Sequence, residues 1–509
     1  MKITFLNPPF HPMFSRESRS PCVTKSSTLY WPMFLAYAAG FTEADGNQIQ
    51  LVDSPAMDLD LEGTIAKIGE FAPEFLVLGV STPSILNDLN VVHTLKEKFG
   101  KPIAIMGTHA TAEPVESLEM EEHLDYCVIG EADATVRSLV RYLRGDGVKS
   151  LLEIPGIAWR ENGQVKRNPE GPKIENLDEI PWVSKIYREH LYSCYKRYFY
   201  GANINPLIVI LSGRGCPHRC TYCVVPQTIT GHVYRKRSPK DVVDELEYIL
   251  KNFEELGEVF FEDDTFTADP RHVKAICEEI LARKLKITFS ANARADVPVE
   301  LLRLMKSAGL RELCVGFESA SPDVLKSVKK GLKEGNSEKF MVAARNAGVL
   351  IHGCFMVGNP KDTKETLQQT LDFAKELNPN TAQFYPIMAY PGTEAYSEAL
   401  ASGALSSKDY GQWLDKDGHH RTTIHRDGLS SQDLVDFCDR ARREFYLRPS
   451  YILRQGIMAV TDPHERYRVF RGFSTLVKHL FKSHGETSQP AGLSGDLAQA
   501  MRQSPTEKK

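Results

Sequence analysis

The stretch SGRGCPHRCTYCVVPQT, residues 212–228, decides the fold. It sets Cys216, Cys220 and Cys223 in a C-x3-C-x2-C spacing that follows two glycines. The glycines permit a tight loop. Three thiolates in such a loop can hold three irons of a cubane and leave the fourth iron free to chelate a small molecule. The stretch therefore predicts a site-open [4Fe–4S] cluster.

A structural zinc site is the alternative for these cysteines. Zinc normally takes four ligands in a closed site, and Cys194 and His232 are the candidates for the fourth. The ten cysteines of the 509 residues are too few and too scattered for a disulfide scaffold. We therefore expect a reducing, cytoplasmic compartment, which a thiolate-held cluster needs.

Around the cysteine stretch the chain alternates apolar strands with helical patterns. The six predicted strands cover residues 207–211, 258–262, 287–291, 312–317, 352–357 and 382–387. Helical patterns between them include residues 239–250, 270–283, 298–308 and 363–377. Six such units predict a partial (β/α)6 barrel over residues 206–400, with reactive groups at the carboxyl ends of its strands.

A second α/β pattern precedes the barrel. Its predicted strands are residues 3–6, 49–52, 75–80, 103–106 and 126–129, with amphipathic helices between them. This alternation predicts a doubly wound, flavodoxin-like domain over residues 1–150, with a ligand crevice at the carboxyl ends of its strands.

The remaining segments are less regular. Residues 151–205 predict a hairpin around Glu161-Asn162-Gly163 and an extended linker, residues 401–482 a helical C-terminal domain, and residues 483–509 a disordered tail. Residues 441–482 carry nine basic and three acidic side chains between aromatic ones. This pattern predicts either a helix packed on the barrel or peripheral association with the inner face of an anionic membrane.

Composition narrows the class of protein. Hydrophobic residues make up 42% of the chain and charged residues 25%, which is typical of a folded protein. A net charge of −4 gives no field that would recruit nucleic acid, so we expect no nucleic-acid partner. No apolar run is long enough to predict a membrane span.

The cysteine stretch, with Tyr222 before the third cysteine, resembles the motif of the radical S-adenosylmethionine (SAM) superfamily. The resemblance implies that the open iron binds SAM. An external flavodoxin- or ferredoxin-type donor then supplies one electron, and SAM is cleaved to methionine and a 5′-deoxyadenosyl radical that abstracts a substrate hydrogen.

Later motifs resemble the same family in the same order. In FFEDDTF, Glu262 and Asp263 are the implied contacts of the SAM amino group, although the motif also fits a solvated acidic turn. Arg294 is implied to pair with the SAM carboxylate or with these acids, unless it forms an ordinary surface ion pair. In GFES, Glu318 and Ser319 resemble a ribose-binding element, and Ser319 or Ser321 also fits a helix N-cap.

Residues 1–140 resemble the cobalamin-binding domain found before many radical SAM barrels. The implied cofactor contacts at the strand ends are Gly79, Ser81, Thr82, Gly107, His109, Gly130 and Glu131. The D-x-H-x-x-G motif that supplies a histidine ligand to cobalt is absent, because Asp53 is followed by SPAMD. The resemblance therefore implies base-off cobalamin without a histidine ligand, and the alternative is a flavodoxin-like domain with no cofactor.

The predicted function is a radical SAM enzyme that modifies an unactivated carbon with cobalamin, most simply by C-methylation. Cobalamin-assisted rearrangement, ring contraction, or radical oxidation without methyl transfer stays open. CTYCVVPQTITGHVYRKRSP resembles radical SAM proteins of hopanoid biosynthesis, which implies a lipid-type or other small-molecule substrate. A tRNA methylthiotransferase is disfavoured because Cys22 and Cys127 are the only cysteines before residue 150; a non-catalytic metal-binding module is the third possibility.

Overall fold

Two α/β units and a C-terminal helical segment make up the protein, in the order that the sequence predicts, and the predicted fold class is confirmed. The structure is a computed structural model that describes residues 1–462, 465–466 and 468–470. The helices and strands below refer to these residues.

The N-terminal domain is built on a seven-stranded sheet of order β2-β1-β3-β4-β5-β6-β7. The strands are β1 (Lys2–Asn7), β2 (Gln48–Asp53), β3 (Phe75–Gly79), β4 (Ile103–Met106), β5 (Tyr126–Val128), β6 (Ile157–Glu161) and β7 (Gln164–Arg167). The first five are parallel, as predicted. The predicted hairpin forms, but β6 pairs antiparallel with β5, so residues 157–167 belong to the first sheet and not to a linker.

Helices cover both faces of this sheet. They are α1 (Met33–Glu43), α2 (Ser54–Met57), α3 (Leu61–Phe71), α4 (Ile85–Phe99), α5 (Thr108–Ala112), α6 (Pro114–Met120) and α7 (Ala132–Arg144).

Short buried helical turns join the two domains. They are α8 (Val183–Ile186), a π turn (Tyr187–Leu191) and a 3-10 turn (Tyr192–Arg197). Trp31 packs between Tyr187 and Tyr198, with ring centroids 4.1 Å and 3.7 Å away. The extended linker predicted up to residue 205 is therefore wrong over this stretch, because its aromatic side chains are core residues.

The second sheet has six parallel strands in the order β15-β14-β13-β12-β11-β8 and forms the open barrel. The strands are β8 (Leu207–Ile210), β11 (Glu258–Phe261), β12 (Phe289–Ala293), β13 (Leu310–Glu318), β14 (Leu350–Val357) and β15 (Thr381–Pro386). Between β8 and β11, β9 (Gly213–Arg214) pairs antiparallel with β10 (Arg235–Lys236).

Five of the seven barrel helices begin where Ser, Asp or Thr precedes the first turn. Side chains of Ser238, Asp269 and Ser321 cap three of them, and Pro follows each cap at the first helical position. The helices are α9 (Pro239–Asn252), α10 (Pro270–Ala282), α11 (Val299–Ser307), α12 (Pro322–Ser327), α13 (Asn336–Ala347), α14 (Lys364–Leu377) and α15 (Glu394–Ser402).

Two further helices, α16 (Ser431–Tyr446) and α17 (Pro449–Thr461), close the free edge of the barrel. The hydroxyl of Tyr446 accepts from the N–H of Ala382 on β15 (2.9 Å) and donates to its carbonyl (2.8 Å). Residues 403–430 are mostly turns and isolated bridges, so the prediction of a helical segment from residue 401 is wrong there. The predicted tail, residues 483–509, and the basic segment from residue 471 lie outside the described residues.

Within the described residues, no helix is long and apolar enough to span a membrane.

Candidate active site at the cysteine loop

The cysteine loop, residues 215–234, starts and ends at the β9–β10 pair. At its first residue Gly215 has a φ of 91°, and a Cβ there would overlap a backbone carbonyl across the loop. The Nε2 of Gln227 donates to the carbonyls of Cys220 (3.2 Å) and Cys223 (3.0 Å). Hydrogen bonds from Gln227 therefore fix the loop backbone at two of the three cysteines.

The three thiols are too widely spaced for one zinc ion. Sulfur ligands at about 2.3 Å from zinc lie within about 4.6 Å of one another, and no described set of metal-binding atoms within 4.8 Å includes this triad. Cys194 donates to the carbonyl of Leu191 (3.3 Å), and Nδ1 of His232 donates to the carbonyl of Cys216 (3.1 Å). The zinc alternative therefore lacks support, whereas a cubane accommodates the wider spacing.

Burial disfavours ionisation of Cys216 and Cys223. Burial raises the pKa of the Cys216 thiol. It also raises the pKa of Cys223 to about 12, although the positive charge of the nearby Arg19 acts in the opposite direction. Thiolates therefore form at neutral pH only with additional positive charge beside them, which bound iron supplies.

Glu262 presents an unused oxygen at the end of β11. One carboxylate oxygen accepts from Nδ2 of Asn292 (3.3 Å), and Oε2 is buried without a partner. Burial raises the pKa of Glu262 to about 7. This predicted SAM contact is thus a buried acceptor with capacity for one more donor.

Asp263, the other predicted contact of the SAM amino group, is occupied by protein. It is fully buried and accepts from the N–H (2.8 Å) and O–H (2.7 Å) of Ser212 and from Tyr234 (3.2 Å). Its role is to fix the start of the cysteine stretch, so the prediction that it contacts the cofactor is not supported.

The next carboxylate, Asp264, holds the cysteine loop instead. It accepts from the N–H of Gly215 (3.2 Å) and the hydroxyl of Thr230 (2.6 Å). Arg19, from the segment after β1, forms an ion pair with Asp264 (3.0 Å) and lies 3.7 Å from Glu262. Burial alone would lower the pKa of Arg19, but these two carboxylates raise it.

Glu318 joins a second polar group at the end of β13. It has a φ of 65°, and its carboxylate binds Lys330 (2.7 Å) and accepts from Tyr222 (3.0 Å) and Tyr385 (3.1 Å). Glu318 is therefore brought together with Tyr222 of the cysteine loop.

Arg294 and Ser319, two other predicted residues, have protein partners. Arg294 donates to the carbonyl of Lys330 (2.7 Å) and lies 3.4 Å from Asp296, so it does not pair with the acids after β11. The hydroxyl of Ser319 lies 3.1 Å from that of Thr370 on α14.

The predicted crevice residues of the first domain form a compact edge. Ser81 bonds to Ser84 (2.9 Å), and Nδ1 of His109 lies 3.1 Å from the hydroxyl of Thr82. Burial lowers the pKa of His109 to about 3, and its Nε2 is buried without a partner. His109 is therefore a neutral imidazole with one nitrogen still unsatisfied.

Two of the predicted glycines at this edge are required by close contacts within the protein. Gly107 has a φ of 124°, and a Cβ there would overlap the carbonyl of Val80. A Cβ at Gly130 would overlap the side chain of Glu170, whereas Gly79 has only ordinary contacts around it. The close approach that Gly107 and Gly130 permit is thus to protein.

A buried ion-pair cluster clamps the first domain to the cysteine loop. Arg214 on β9 binds Asp133 (2.7 Å) and Glu131 (3.1 Å), and Arg235 on β10 binds Glu131 (2.9 Å). Burial alone would raise the pKa of Glu131, but the two arginines outweigh this effect and lower the pKa to about 2. Glu131, predicted as a cofactor contact, is therefore the centre of this clamp.

Comparison with known proteins identifies the barrel. Residues 210–374 match the sequence model of the family described as Radical SAM superfamily. Over these residues the chain is similar to the radical SAM superfamily. The match runs from the end of β8 into α14 and includes the whole cysteine loop.

Relatives extend beyond the radical SAM domain. The chain is 29% identical over 426 residues to an uncharacterized methyltransferase of Pyrococcus horikoshii, covering 83% of this chain and 89% of the relative. It is 26% identical over 463 residues to the anaerobic magnesium-protoporphyrin IX monomethyl ester cyclase of Rubrivivax gelatinosus (89% and 78%). It is 24% identical over 403 residues to the hopanoid C-3 methylase of Methylococcus capsulatus (76% and 73%).

Two solved structures share the fold across both domains. The radical SAM methyltransferase TsrM of Kitasatospora setae, solved with cobalamin and a [4Fe–4S] cluster, superposes with a TM-score of 0.70 at 17% identity, covering 94% of this chain and 99% of that one. OxsB, solved with aqua-cobalamin and SAM, gives 0.69 at 17% identity, covering 94% and 72%.

Several residues of this radical SAM site are not found by sequence reasoning. Arg19, Asp264 and Gln227 act through the fold, and no local motif marks them. Arg214 stands inside the quoted stretch, but its partners lie 81 and 83 residues earlier. The sequence of Glu262, Asp263 and Asp264 after β11 indicates a site, but it does not show which carboxylate keeps an unpartnered oxygen.

Proposed function

We propose that this protein is a cobalamin-dependent radical SAM enzyme that C-methylates an unactivated carbon of an apolar, lipid-type substrate. The observation that carries the proposal is the clamp. It joins Glu131 and Asp133, at the end of β5 and the start of α7, to Arg214, two residues before Cys216. A ligand in the crevice of the first domain would therefore lie next to the cysteine loop.

Unsatisfied buried polar atoms support two ligand sites. On the barrel side, Oε2 of Glu262 is an acceptor that suits the ammonium group of SAM. On the side of the first domain, Nε2 of His109 and Nε1 of Trp413 lack partners. The two rings flank Tyr410, with centroids 5.1 Å and 5.6 Å from it, and suit the amide side chains of a corrin.

When bound, the cluster and SAM supply a 5′-deoxyadenosyl radical that abstracts hydrogen, and cobalamin supplies a methyl group. The chain's own part is to hold these groups in place. The cysteine triad would ligate the iron, Glu262 would bind the SAM ammonium, and Glu318, held by its ion pair with Lys330, would accept from ribose hydroxyls. These assignments follow the family resemblance and the free acceptor capacity described above.

Cobalamin would bind this protein without a histidine from the D-x-H-x-x-G motif, which is absent after Asp53. Nδ1 of His109 at the strand ends is engaged by the hydroxyl of Thr82, and the ring of Tyr410 packs against the imidazole. Its unpartnered Nε2 is assigned to a corrin amide and not to cobalt. Asp53, where the histidine-bearing motif would begin, caps α2 and accepts from Asn7 (2.8 Å) and Tyr198 (2.8 Å). The base-off form is therefore the one that this crevice suits.

The apolar substrate and a peripheral membrane contact are linked proposals. Leu453 and Val460 on α17 are 66% and 77% exposed, and Ile457 is also exposed. The basic residues that follow in sequence would bind anionic lipid headgroups. The hopanoid C-3 methylase relative is consistent with such a substrate.

The proposal also includes a cytoplasmic location and an external electron donor. All ten cysteines are free thiols, which supports a cytoplasmic location. A flavodoxin- or ferredoxin-type protein is the proposed electron donor for the cluster.

Product analysis tests the reaction. The reconstituted enzyme is incubated anaerobically with a one-electron reductant, trideuteromethyl-labelled SAM and the hopanoid diploptene as probe. We expect 5′-deoxyadenosine and a product in which one hydrogen is replaced by a trideuteromethyl group. Formation of 5′-deoxyadenosine with a modified but unlabelled product would contradict methylation and favour rearrangement or cyclisation, the alternative that the cyclase relative keeps open.

A further inference from the structure

Three metal-binding side chains line the barrel away from the cysteine loop. They are Cys314 on β13 and His352 and Cys354 on β14. In the parallel register Cys314 lies opposite His352, and Cys354 is opposite Gly316, two residues further along β13. Side chains two residues apart on a strand share a face, so all three project from one side of the sheet.

That side is the inside of the barrel. The alternate residues Phe317 and Phe355 stack on each other with centroids 5.6 Å apart, and Phe317 also contacts Phe340 on α13. These aromatic rings therefore fill the layer between sheet and helices, and the cysteines and the histidine face the lumen. Glu318, four residues after Cys314, faces the same lumen beside the cysteine loop.

The ligand atoms are already close together. The Sγ atoms of Cys314 and Cys354 are 3.7 Å apart, and the three ligand atoms all lie within 4.8 Å of one another. Two sulfurs on one tetrahedral zinc ion, each at about 2.3 Å, are about 3.8 Å apart. A disulfide needs about 2.05 Å, so the observed spacing is too long for a disulfide and fits two sulfur ligands of one zinc ion.

The imidazole of His352 is hydrogen-bonded to the side chains of Thr381 and Gln383 on β15, and one of these two bonds would give way when a metal binds. Nδ1 of His352 lies 2.7 Å from the hydroxyl of Thr381 on β15. A hydrogen bond from one ring nitrogen fixes the tautomer and orients the other toward the metal. Two thiolates also balance the charge of a divalent ion, which lowers the cost of burying it.

The two other candidate groups in the described chain are different. Glu121 binds His123 (2.8 Å) and His93 (3.4 Å), and His190 lies 3.4 Å from Glu43. In both groups the imidazoles lie beside carboxylates, and neither group contains a thiol. Within the described residues, the thiols of Cys314 and Cys354 have only each other as hydrogen-bond partners.

We propose that Cys314, His352 and Cys354 bind a zinc ion on the lumen wall, separate from the iron–sulfur cluster. Three protein ligands leave a fourth position for water or a substrate donor atom, which is the arrangement of catalytic zinc sites. The site rests on its own ligands and not on cobalamin binding or methyl transfer.

Metal counting tests the site in the full-length protein. The anaerobic protein with its cluster reconstituted is given one equivalent of Zn²⁺, desalted and analysed by mass spectrometry for zinc and iron. We expect about one zinc per chain in the wild type and less than about 0.2 in Cys314→Ser and Cys354→Ser. Cys277→Ser, which removes a buried cysteine of α10, should retain the wild-type amount, and iron should be unchanged in all four proteins.

A spectroscopic arm covers variants that lose zinc by misfolding. Cobalt(II) is added to the Cys216→Ser/Cys220→Ser/Cys223→Ser protein, in which the cluster ligands are absent. We expect thiolate-to-cobalt charge-transfer bands in the near ultraviolet, and their loss on the further change His352→Ala with an unchanged circular dichroism spectrum. Equal zinc retention in the cysteine variants, or a Cys314–Cys354 disulfide in protein kept anaerobic, would overturn the proposal, and neither result depends on whether SAM is cleaved.

Discussion

Three adjacent acids after β11 acquire three different roles from their partners. Asp263 is fully used by Ser212 and Tyr234, Asp264 holds the cysteine loop and Arg19, and Glu262 keeps one oxygen free. A free buried acceptor is a binding group, because a donor that satisfies it recovers the cost of its desolvation.

The substitution Glu262→Gln should therefore weaken SAM binding. A hydrogen bond to a charged group contributes roughly 1.5–3 kcal/mol, which corresponds to a loss of about 10- to 100-fold in affinity. Equilibrium dialysis of labelled SAM against the reconstituted protein measures it. Unchanged affinity would exclude Glu262 from the SAM site.

The same carboxylate predicts a pH dependence. Because the pKa of Glu262 is raised to about 7, the group is mostly protonated at pH 6 and mostly ionised at pH 8. Only the ionised form attracts an ammonium group, so SAM affinity should rise by about tenfold between these pH values. The Glu262→Gln variant should show a flat profile over this range, and an equally steep one would assign the titration to another group.

Asp263 provides the contrasting case for stability. Asp263→Ala leaves the N–H and O–H of Ser212 and the hydroxyl of Tyr234 without their acceptor, and each unsatisfied buried group costs about 1–3 kcal/mol. We expect a clear fall in Tm by circular dichroism, whereas Glu262→Gln should leave Tm nearly unchanged. The opposite ranking would mean that the assignments of the two acids are reversed.

At the scale of elements, the turn after β4 depends on one glycine. A side chain at Gly107 would occupy a φ of 124° and overlap the carbonyl of Val80, at a cost of about 1–3 kcal/mol. Gly107→Ala should lower Tm, while Gly69→Ala, on the exposed face of α3, should raise stability by up to about 1 kcal/mol. A neutral effect of Gly107→Ala would show that this turn relaxes freely.

Helix α17 carries the test of membrane association. Moving Leu453 or Val460 from water into lipid contributes roughly 1.5–3 kcal/mol per side chain. Leu453→Glu and Val460→Glu should therefore reduce co-sedimentation with phosphatidylglycerol vesicles by about tenfold or more. Leu152→Glu, at an equally exposed site of the first domain, should leave it unchanged; equal losses, or no binding by the wild type, would remove the membrane proposal.

Periodicity predicts the strands of both sheets because parallel buried strands are short apolar runs with strong boundaries. It fails for residues 157–167, since nothing local tells a hairpin which sheet edge it joins. It also fails for residues 403–430, which form isolated bridges and also pack against the first domain through Tyr410. For the same reason it cannot show that Arg19 reaches Asp264, a contact between residues 245 positions apart.

At the scale of the molecule, the clamp sets how the two domains face each other. Arg214 is 2% exposed, and its removal leaves the buried carboxylate of Asp133 without its cation, whereas Glu131 keeps Arg235. Breaking a buried ion pair costs about 3–5 kcal/mol. Arg214→Met should lower Tm and expose residues 168–206 to limited proteolysis, whereas Arg271→Met, at a side chain that is 95% exposed, should do neither.

The central claim is that a corrin and a radical SAM cluster occupy facing sites in this chain, and corrinoid binding tests it most directly. The protein is purified anaerobically, equilibrated with hydroxocobalamin, desalted, and its corrinoid measured as the dicyano form after extraction. The account predicts about one corrinoid per chain, with a base-off absorbance spectrum before extraction. A folded, cluster-containing protein that retains none would contradict it.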